Sequence, residues 1–399
     1  MSPPGPSPRA LEPSGSVGAL PRERQLTIFE RLEGLARRAE ARDPLRPAAA
    51  LFAVVLALMG LGLLVQASHA ATTLPPEEFL GALGEQAWFR FAGLCALLGA
   101  ARLGPSGIRR FLPALILAMA ILLVLVFVPP LGVEVNGSHR WIELGVRFQP
   151  SELARIVVVL WIADRCVRLG PLVRDVRRGV APIFFVGLSF FLLIACETDL
   201  GGAILLLLCT FATMWVGGAR PAHVAGTFTV VAGGALAAGF ALIPYIRRRI
   251  EMFLGTQSNQ QVADSLVAIS HGGAFGQGLG QGVHRNLGVP YLESDFVFAQ
   301  VGEELGLFGM LLVLALCCAF LWYSLQLVLS LRGRFDALAS FGLLVSTALQ
   351  AMLHVQVVAG LAPPKGMTLP FLSHGGTSLV VSCLGVGLAL GAARRQEAG

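Results

Sequence analysis

Apolar residues dominate the chain in about ten long runs, separated by short polar connectors. A helix crosses the bilayer core with roughly 20 mostly apolar residues. The runs lie near 47–67, 86–101, 111–130, 151–168, 180–197, 200–217, 222–244, 304–330, 336–360 and 376–393. No strand-like alternation and no repeat of about 20 to 50 residues stands out. The pattern therefore predicts an all-α, polytopic membrane protein with about ten transmembrane helices.

The composition excludes a soluble globular protein. Hydrophobic residues make up 55% of the chain and charged residues 14%, and the mean hydropathy is +0.72. A chain this apolar has too little polar surface to hide its core from water. We expect no nucleic-acid partner. The seven cysteines lie within or at the ends of apolar runs without metal-ligand spacing, so we expect neither disulfides nor a zinc site.

Basic residues gather in alternate connectors, which orients the predicted bundle. Lysine and arginine are retained on the cytoplasmic side of membranes. The basic-rich segments are the first 46 residues, 102–110, 165–178, 332–334 and the C-terminal tail. Both termini are therefore expected in the cytoplasm, and the segments 73–78, 135–152, 245–303 and 360–376 outside. The run Arg247–Arg249 is an exception, because it is basic although it lies in a segment expected outside.

Three segments differ from the apolar runs. Residues 1–21 are rich in proline, serine and glycine and are expected to be disordered. Residues 22–42 predict either an amphipathic helix on the inner leaflet or a solvated or partner-binding helix, which completes an N-terminal tail over 1–46. The stretch "ASHA", 67–70, resembles a signal-peptidase site, but the apolar run before it is too long for a signal peptide, so we expect the first helix to be retained.

The predicted outer segment 245–303, between the seventh and eighth runs, is the longest connector. A connector of about 55 residues is usually functional or disordered. This one is glycine-rich without being repetitive, and it contains moderately apolar pieces suited to half-buried helices. We therefore interpret it as a functional loop.

Ionisable residues near the outer ends of the runs are the candidates for chemistry, because each costs about 2.5 to 3.5 kcal/mol inside a membrane. They are Arg140, Glu143, Arg147, Glu152, Arg155, Glu197, Asp199, Arg247, Arg248, Arg249, Asp295, Glu303, Glu304 and Lys365.

Asp295 is the strongest candidate for a general base. It precedes the apolar sequence "FVFA", and a carboxylate at a partly dehydrated mouth is suited to accept a proton from a hydroxyl. Glu303 and Glu304 have a simpler interpretation, since negative charge is favoured in the first turns of a helix.

Two groups of cations need an explanation on the outer side. Arg247–Arg249 suit either lipid headgroups or a diphosphate leaving group. Lys365 is the one lysine among 30 basic residues, which suggests that a compact ammonium is required at that place.

Four ordered motifs carry a resemblance to a known family. They are "NGSHRWIELGVRFQPSELAR" (136–155), "ETDLGGA" (197–203), "SLVAISHGGAFGQGLGQGVHR" (265–285) with "YLESDFVFAQVGEELG" (291–306), and "LAPPKGMTLPFLSHGGTS" (361–378). With them the chain resembles the SEDS family (shape, elongation, division and sporulation) over residues 47–395, and it is most similar to the cell-division branch. Arg155 stands where the family usually has lysine, and Thr198 and Gly202 replace a usual proline and threonine.

The resemblance implies a peptidoglycan glycosyltransferase of the bacterial cytoplasmic membrane that polymerises lipid II. Asp295 falls on the family's catalytic aspartate. The residues assigned to substrate binding are Arg140, Glu152, Arg155, Asp199, Arg247, Arg248, Arg249, Glu293, Lys365 and Ser373. A divalent cation, Mg²⁺ or Mn²⁺, shared by Glu293 and Asp295 is an expectation from the family, although no metal site follows from the residues. The implied partners are a class B penicillin-binding protein and other division proteins of the membrane.

Two other functions remain open at this point. A transporter of the lipid-linked precursor would also have about ten helices and charged outer loops, but it would place ionisable residues near the midplane. A non-catalytic scaffold for a penicillin-binding protein would not need Asp295.

Overall fold

A computed structural model describes residues 43–128, 131–135, 138–143, 147–242, 247, 251, 260–282, 292–363 and 366–398. The predicted N-terminal disorder and surface helix lie outside the described residues. So do three predicted site residues, Arg248, Arg249 and Lys365.

The described residues form eleven α-helices, and all but one of them coincide with a predicted apolar run. They are α1 (Leu45–Thr73), α2 (Pro76–Ile108), α3 (Leu112–Leu125), α4 (Pro150–Leu169), α5 (Ala181–Cys196), α6 (Leu200–Val216), α7 (Pro221–Leu242), α8 (Gln260–Gly272), α9 (Val297–Ser330), α10 (Arg334–Val358) and α11 (Gly376–Ala398). The exception, α8, lies in the long predicted loop. The helical class is therefore confirmed.

Six helical segments within the described residues are long and apolar enough to cross a membrane. They are Leu45–Thr73, Pro76–Leu125, Val176–Cys196, Val297–Ser330, Arg334–Val358 and Gly376–Glu397. The second of these contains two predicted runs, and the shorter α6 is also apolar. The exact number of ten crossings stays a prediction.

A small antiparallel sheet between α3 and α4 is the feature that the pattern did not indicate. Its strands are β1 (Gly132–Val135), β2 (Ser138–Glu143) and β3 (Arg147–Phe148), in the order β1-β2-β3. The pairing of β1 with β2 shifts register between Val133 and Glu134. Strands this short and irregular produce no readable alternation of apolar and polar residues.

Two long helices are interrupted at glycines. Gly104 in α2 has φ 59° and ψ 171°, and Gly306 in α9 has φ 66° and ψ −161°. A positive φ is readily adopted only by glycine. The break at Gly306 separates a short initial helix, which carries Glu303 and Glu304, from the long apolar part of α9.

Contacts at the helix termini define the two ends of the bundle. At one end, Ser373 Oγ donates to Ser294 O, which joins the connector before α11 to the residues before α9. We call this the site end. At the opposite end, Asp164 near the end of α4 accepts hydrogen bonds of 2.6 Å from Arg109 Nε and Arg168 Nε. Because α4 begins at the site end and finishes at the opposite end, its length sets the distance between them.

Candidate functional site

Asp295 lies in a short turn, residues 292–296, immediately before α9. Leu292 and Phe296 are 1% and 3% exposed, whereas Asp295 between them is half-buried. Burial of the two apolar side chains holds the turn in the protein. Asp295 itself is left partly exposed.

Three hydrogen bonds hold backbone carbonyls of this Asp295 turn. Gln66 Nε2 of α1 and the backbone N–H of His374 both donate to Glu293 O, each at 2.9 Å. Ser373 Oγ donates to Ser294 O at 2.6 Å. Side chains and backbone from α1 and from the connector before α11 therefore fix the turn from two directions.

Gly366, in the connector between α10 and α11, lies directly against Asp295. A Cβ at position 366 would be 2.9 Å from Asp295 Oδ2 and 3.8 Å from Oδ1. Any side chain larger than that of glycine would crowd the carboxylate. Lys365, which precedes Gly366 in the sequence, lies outside the described residues.

A second group of buried and half-buried ionisable residues lies at the site end, where β2, α4 and the connector before α6 meet. Glu152 interacts electrostatically with Arg155, Asp199 and Arg140, and its carboxyl group lies near the hydroxyl group of Ser378. Arg155 and Asp199 are each 7% exposed. We call Arg140, Glu152, Arg155, Glu197 and Asp199 the charged cluster. It brings together four of the predicted substrate-binding residues.

Asp199 has a structural role in addition to any functional one. Its Oδ1 accepts a hydrogen bond of 2.8 Å from Gly202 N, so Asp199 is the N-cap of α6. Its Oδ2 accepts a hydrogen bond of 2.9 Å from Gln149 Nε2. Both carboxylate oxygens are therefore engaged by the protein, which makes Asp199 a support of the cluster more than a free ligand.

Glu197 is the most buried member of the charged cluster, at 0% exposed. Neither of its carboxyl oxygens has a hydrogen-bond partner among the described residues. Burial, reinforced by the charge of Asp199 and opposed by Arg140, raises the pKa of Glu197 to about 9. The group is therefore protonated at neutral pH and can donate a hydrogen bond. The sequence placed Glu197 among the ionisable residues of the outer side without separating it from them.

Other polar atoms of the charged cluster are also buried without a partner in the described part of the chain. They are Arg140 Nε, Arg155 Nε and Glu152 Oε2. Buried polar groups are nearly always hydrogen-bonded in folded proteins. A polar ligand with both donors and acceptors would satisfy these atoms.

The connector between α10 and α11 joins the Asp295 turn to the charged cluster. Gly366 lies against Asp295, and Met367 Sδ would be 2.8 Å from a Cβ at Gly201, two residues after Asp199. Thr368 Oγ1 is 2.9 Å from Ser378 Oγ, which contacts Glu152. The two groups therefore lie on either side of one connector.

Side chains of α10 hold this connector in place. His354 Nδ1 is 2.7 Å from Met367 O, and Gln350 Nε2 donates to Thr368 O and to Thr368 Oγ1, each at 3.1 Å. Sequence reasoning missed Gln350, and it also missed Gln66, Gln149 and Ser378. Gln149 and Ser378 lie inside two of the family motifs, which could have identified them, whereas no motif or characteristic spacing marks Gln66 and Gln350.

Two predicted substrate-binding residues have partners close in the sequence or on α1. Arg247 is exposed, and its Nε donates to Glu251 Oε1 at 2.9 Å. Glu293 Oε2 is 3.7 Å from His69 Nε2. The structure thus brings Glu293 beside Asp295 and α1.

Glu303 and Glu304 are buried at 1% exposed each, just before the break at Gly306. Glu304 Oε2 accepts a hydrogen bond of 2.6 Å from Ser68 Oγ. The backbone carbonyls of both residues accept from the N–H groups of Gln277 and Gly278. The two residues therefore tie the glycine-rich segment to α9 and α1.

A closed metal site is absent from the described residues, in which no group of three or more histidine, cysteine, aspartate or glutamate side chains has a suitable arrangement. Glu293 and Asp295 are two carboxylates in one turn. Mg²⁺ is commonly bound through one or two carboxylates together with substrate phosphates. The donors present fit that mode and do not form a complete cage.

Comparison with known proteins extends over most of the chain. Residues 48–398 match the FtsW/RodA/SpoVE family, described as "Cell cycle protein". A relative from Nitrosococcus halophilus, "Probable peptidoglycan glycosyltransferase FtsW", is 34% identical over 352 residues, covering 85% of this chain and 90% of the relative. "Stage V sporulation protein E" of Bacillus subtilis is 35% identical over 280 residues, covering 68% of this chain and 76% of that protein.

Solved structures show the same fold. One is described as "Structural coordination of polymerization and crosslinking by a peptidoglycan synthase complex" and has a TM-score of 0.72 at 28% identity, covering 87% of this chain and 97% of that one. The rod shape determining protein RodA of Thermus thermophilus has a TM-score of 0.63 at 26% identity, covering 86% of this chain and 95% of that one.

Proposed function

The chain belongs to the FtsW/RodA/SpoVE family, and from this premise we propose that it polymerises lipid II into β-1,4-linked glycan strands at the outer face of the cytoplasmic membrane. It is a multi-pass membrane protein and a peptidoglycan glycosyltransferase. The observation that carries the proposal is a carboxylate, Asp295, held in a fixed turn beside a buried cluster of arginines and carboxyl groups. A role in septal synthesis during division is supported by the relatives named FtsW.

Asp295 acts as the general base in this mechanism. It accepts the proton of the 4-hydroxyl group of the acceptor N-acetylglucosamine as that oxygen attacks the anomeric carbon of the donor. The attack forms the new glycosidic bond and breaks the bond to the diphosphate, so the configuration inverts from α to β. The hydrogen bonds to Glu293 O and Ser294 O fix the backbone that carries this carboxylate.

Electrostatic stabilisation of the diphosphate charge allows the leaving group to depart. Undecaprenyl diphosphate carries the bonding electron pair away, and cations lower the free energy of that charge. Arg140 and Arg155 of the charged cluster, with Arg247, Arg248, Arg249 and Lys365, are the proposed cations. Protonated Glu197, next to Arg140, adds a neutral hydrogen-bond donor for a sugar or phosphate oxygen.

A divalent cation, Mg²⁺ or Mn²⁺, is proposed to bind only together with the substrate. Glu293 and Asp295 would supply protein ligands and the diphosphate the remaining oxygens. When bound, the ion would neutralise charge on the leaving group.

We propose a class B penicillin-binding protein as the partner that crosslinks the new strands, together with other division proteins of the membrane. A similar solved structure is of a peptidoglycan synthase complex for polymerisation and crosslinking. The cytoplasmic location of both termini belongs to the same proposal, because the opposite end of the bundle is rich in arginine.

The decisive experiment supplies lipid II in detergent to the purified protein with its partner and measures glycan chains on a gel. We expect Asp295→Asn to lower the rate by about 100-fold or more, since general bases contribute 10²–10⁴-fold. Asp264→Asn is the matched control, because the side chain of Asp264 on α8, as far as the described residues show, accepts a hydrogen bond only from Gln260 in the same helix. The same assay with and without a chelator tests the cation.

Three outcomes separate the possible functions. Glycan synthesis by Asp295→Asn at the parent rate would exclude Asp295 as the base. Transfer of lipid II across vesicle membranes without any glycan from the parent would favour a transporter. Normal assembly with the partner but no polymerisation would favour a scaffold.

A further inference from the structure

The end of α1 contacts three separate parts of the chain around Asp295. Its residues Val65 to His69 overlap the stretch 67–70, whose small residues resemble a signal-peptidase site in the sequence. Val65, Gln66 and Ser68 are 1%, 3% and 8% exposed. Buried hydrophilic side chains at the end of a transmembrane helix need a reason, because polar groups are costly there unless they are paired.

Gln66 holds the Asp295 turn. Its Nε2 donates to Glu293 O at 2.9 Å. His69 follows about one helical turn later on α1, and its Nε2 is 3.7 Å from Glu293 Oε2. The glutamine thus fixes the backbone two residues before the proposed base.

Ser68 contacts the other two parts, which are the start of α9 and the glycine-rich segment. Its hydroxyl donates to Glu304 Oε2 at 2.6 Å and accepts from Gly280 N at 2.7 Å. A hydroxyl group does both through one oxygen atom, which the methyl group of alanine cannot do. Gln300 Nε2, which donates to Val65 O at 3.1 Å and to Glu304 Oε1 at 3.3 Å, completes the contact between α1 and the start of α9.

The α-helix gives these contacts a fixed geometry. Residues 65 to 69 lie within about 6 Å along the helix axis, at 1.5 Å per residue. The glycine-rich segment, the Asp295 turn and the first turns of α9 therefore share one rigid support, although they lie more than 200 positions further along the chain.

We propose that Gln66 and Ser68 are positioning residues of the glycosyltransferase site. They do not touch substrate; they set the position of Asp295 relative to the glycine-rich segment and to α9. The proposal rests on the proposed function of Asp295, and it assigns the end of α1 to the reaction and not only to membrane insertion.

The test compares Gln66→Leu and Ser68→Ala with the parent in the lipid II assay. A misplaced base lowers the rate of the chemical step without weakening substrate binding. We expect kcat to fall by about 10-fold to 100-fold, with the KM for lipid II unchanged within about twofold. Ser68→Thr keeps the hydroxyl and should restore most of kcat. Thr73→Val is the matched control, because Thr73 is exposed and, within the described part of the chain, its Oγ1 donates only to His69 O of the same helix.

Hydrogen exchange supplies a second measurement that does not depend on activity. Ser68→Ala should speed exchange in the peptide 276–282, and Gln66→Leu in the peptide 292–300, while Thr73→Val should change neither. Parent-like kcat in both variants overturns the proposal while the glycosyltransferase function stands. A parent that makes no glycan refutes the proposed function instead, and unchanged exchange in both peptides then overturns the positioning role as well.

Discussion

Thr198, in the connector between α5 and α6, is one position at which this chain departs from the family pattern. Thr198 has φ 63°, a conformation that is strained for a β-branched residue. Proline, which the resemblance leads one to expect there, is locked near φ −65° and has no N–H, yet Thr198 N donates to Ala195 O at 3.1 Å. A proline could adopt neither this φ nor this hydrogen bond, so the local backbone of this chain requires another residue at position 198.

Glu197, the neighbour of Thr198, leads to a prediction on pH. Its raised pKa of about 9, against an ordinary value of 4.5, means that the folded protein favours the protonated form. Its contribution to the free energy of unfolding is complete below about pH 4.5 and is lost as the pH rises towards 9. Glu197→Gln mimics the protonated group, so its melting temperature in detergent should decline less than that of the parent between these values.

The control for this experiment is Glu143→Gln, which changes an exposed carboxylate of β2. Melting curves at several pH values compare the three proteins. A Glu197→Gln variant that loses stability with rising pH as steeply as the parent would show that Glu197 does not carry the effect.

At the scale of elements, the break in α9 shapes the site. The short helix before Gly306 carries Glu303 and Glu304 towards α1 and the glycine-rich segment, and the part after it crosses the bundle. Leu307 N donates to Gly273 O and Gly276 N to Gly272 O, so the segment packs into the break. A continuous helix would remove the place where this segment binds.

Gly306→Ala tests the importance of the break. A Cβ at position 306 would be 2.6 Å from Ala274 O, and the positive φ of Gly306 adds strain of about 1 to 3 kcal/mol. We expect a lower melting temperature and a loss of glycan synthesis of about tenfold or more, since small displacements of a site are costly to catalysis. Gly99→Ala in α2, where nothing lies within 4 Å, should behave like the parent. Equal stability and activity of the two variants would contradict the role of the break.

The elements show what the sequence can predict. The ten apolar runs correspond to helices because each run is long and its signal is local. The sheet was missed because its strands have four, six and two residues, and the break in α9 because a glycine inside an apolar run gives no sign of its φ. The amphipathic tail and two of the three arginines at 247–249 lie outside the described residues, so those expectations stay predictions.

At the scale of the whole molecule, the side chains that hold the site in place could not be predicted from the sequence. Gln66 and Glu293 are 227 positions apart, and only folding brings them together. Asp295 was recognisable because a family motif surrounds it, whereas Gln66 and Gln350 lie in none of the motifs. The site therefore combines a local motif with distant side chains that no spacing rule connects.

The orientation of the molecule gives the last prediction. Arginines at the opposite end include Arg109, Arg110, Arg165, Arg168, Arg332, Arg334, Arg394 and Arg395, and such an excess is retained in the cytoplasm. The site end should therefore face outwards, where Glu143 of β2 is exposed, and Glu397 of α11 should face the cytoplasm.

Cysteines introduced as Glu143→Cys and Glu397→Cys report this orientation in spheroplasts treated with a membrane-impermeant thiol reagent. Position 143 should be labelled at once, and position 397 only after the membrane is permeabilised. The parent protein gives the background from its seven native cysteines. Labelling of position 397 in intact spheroplasts would reverse the orientation, and it would place Asp295 on the side of the membrane where no glycan strand is assembled under the proposed function.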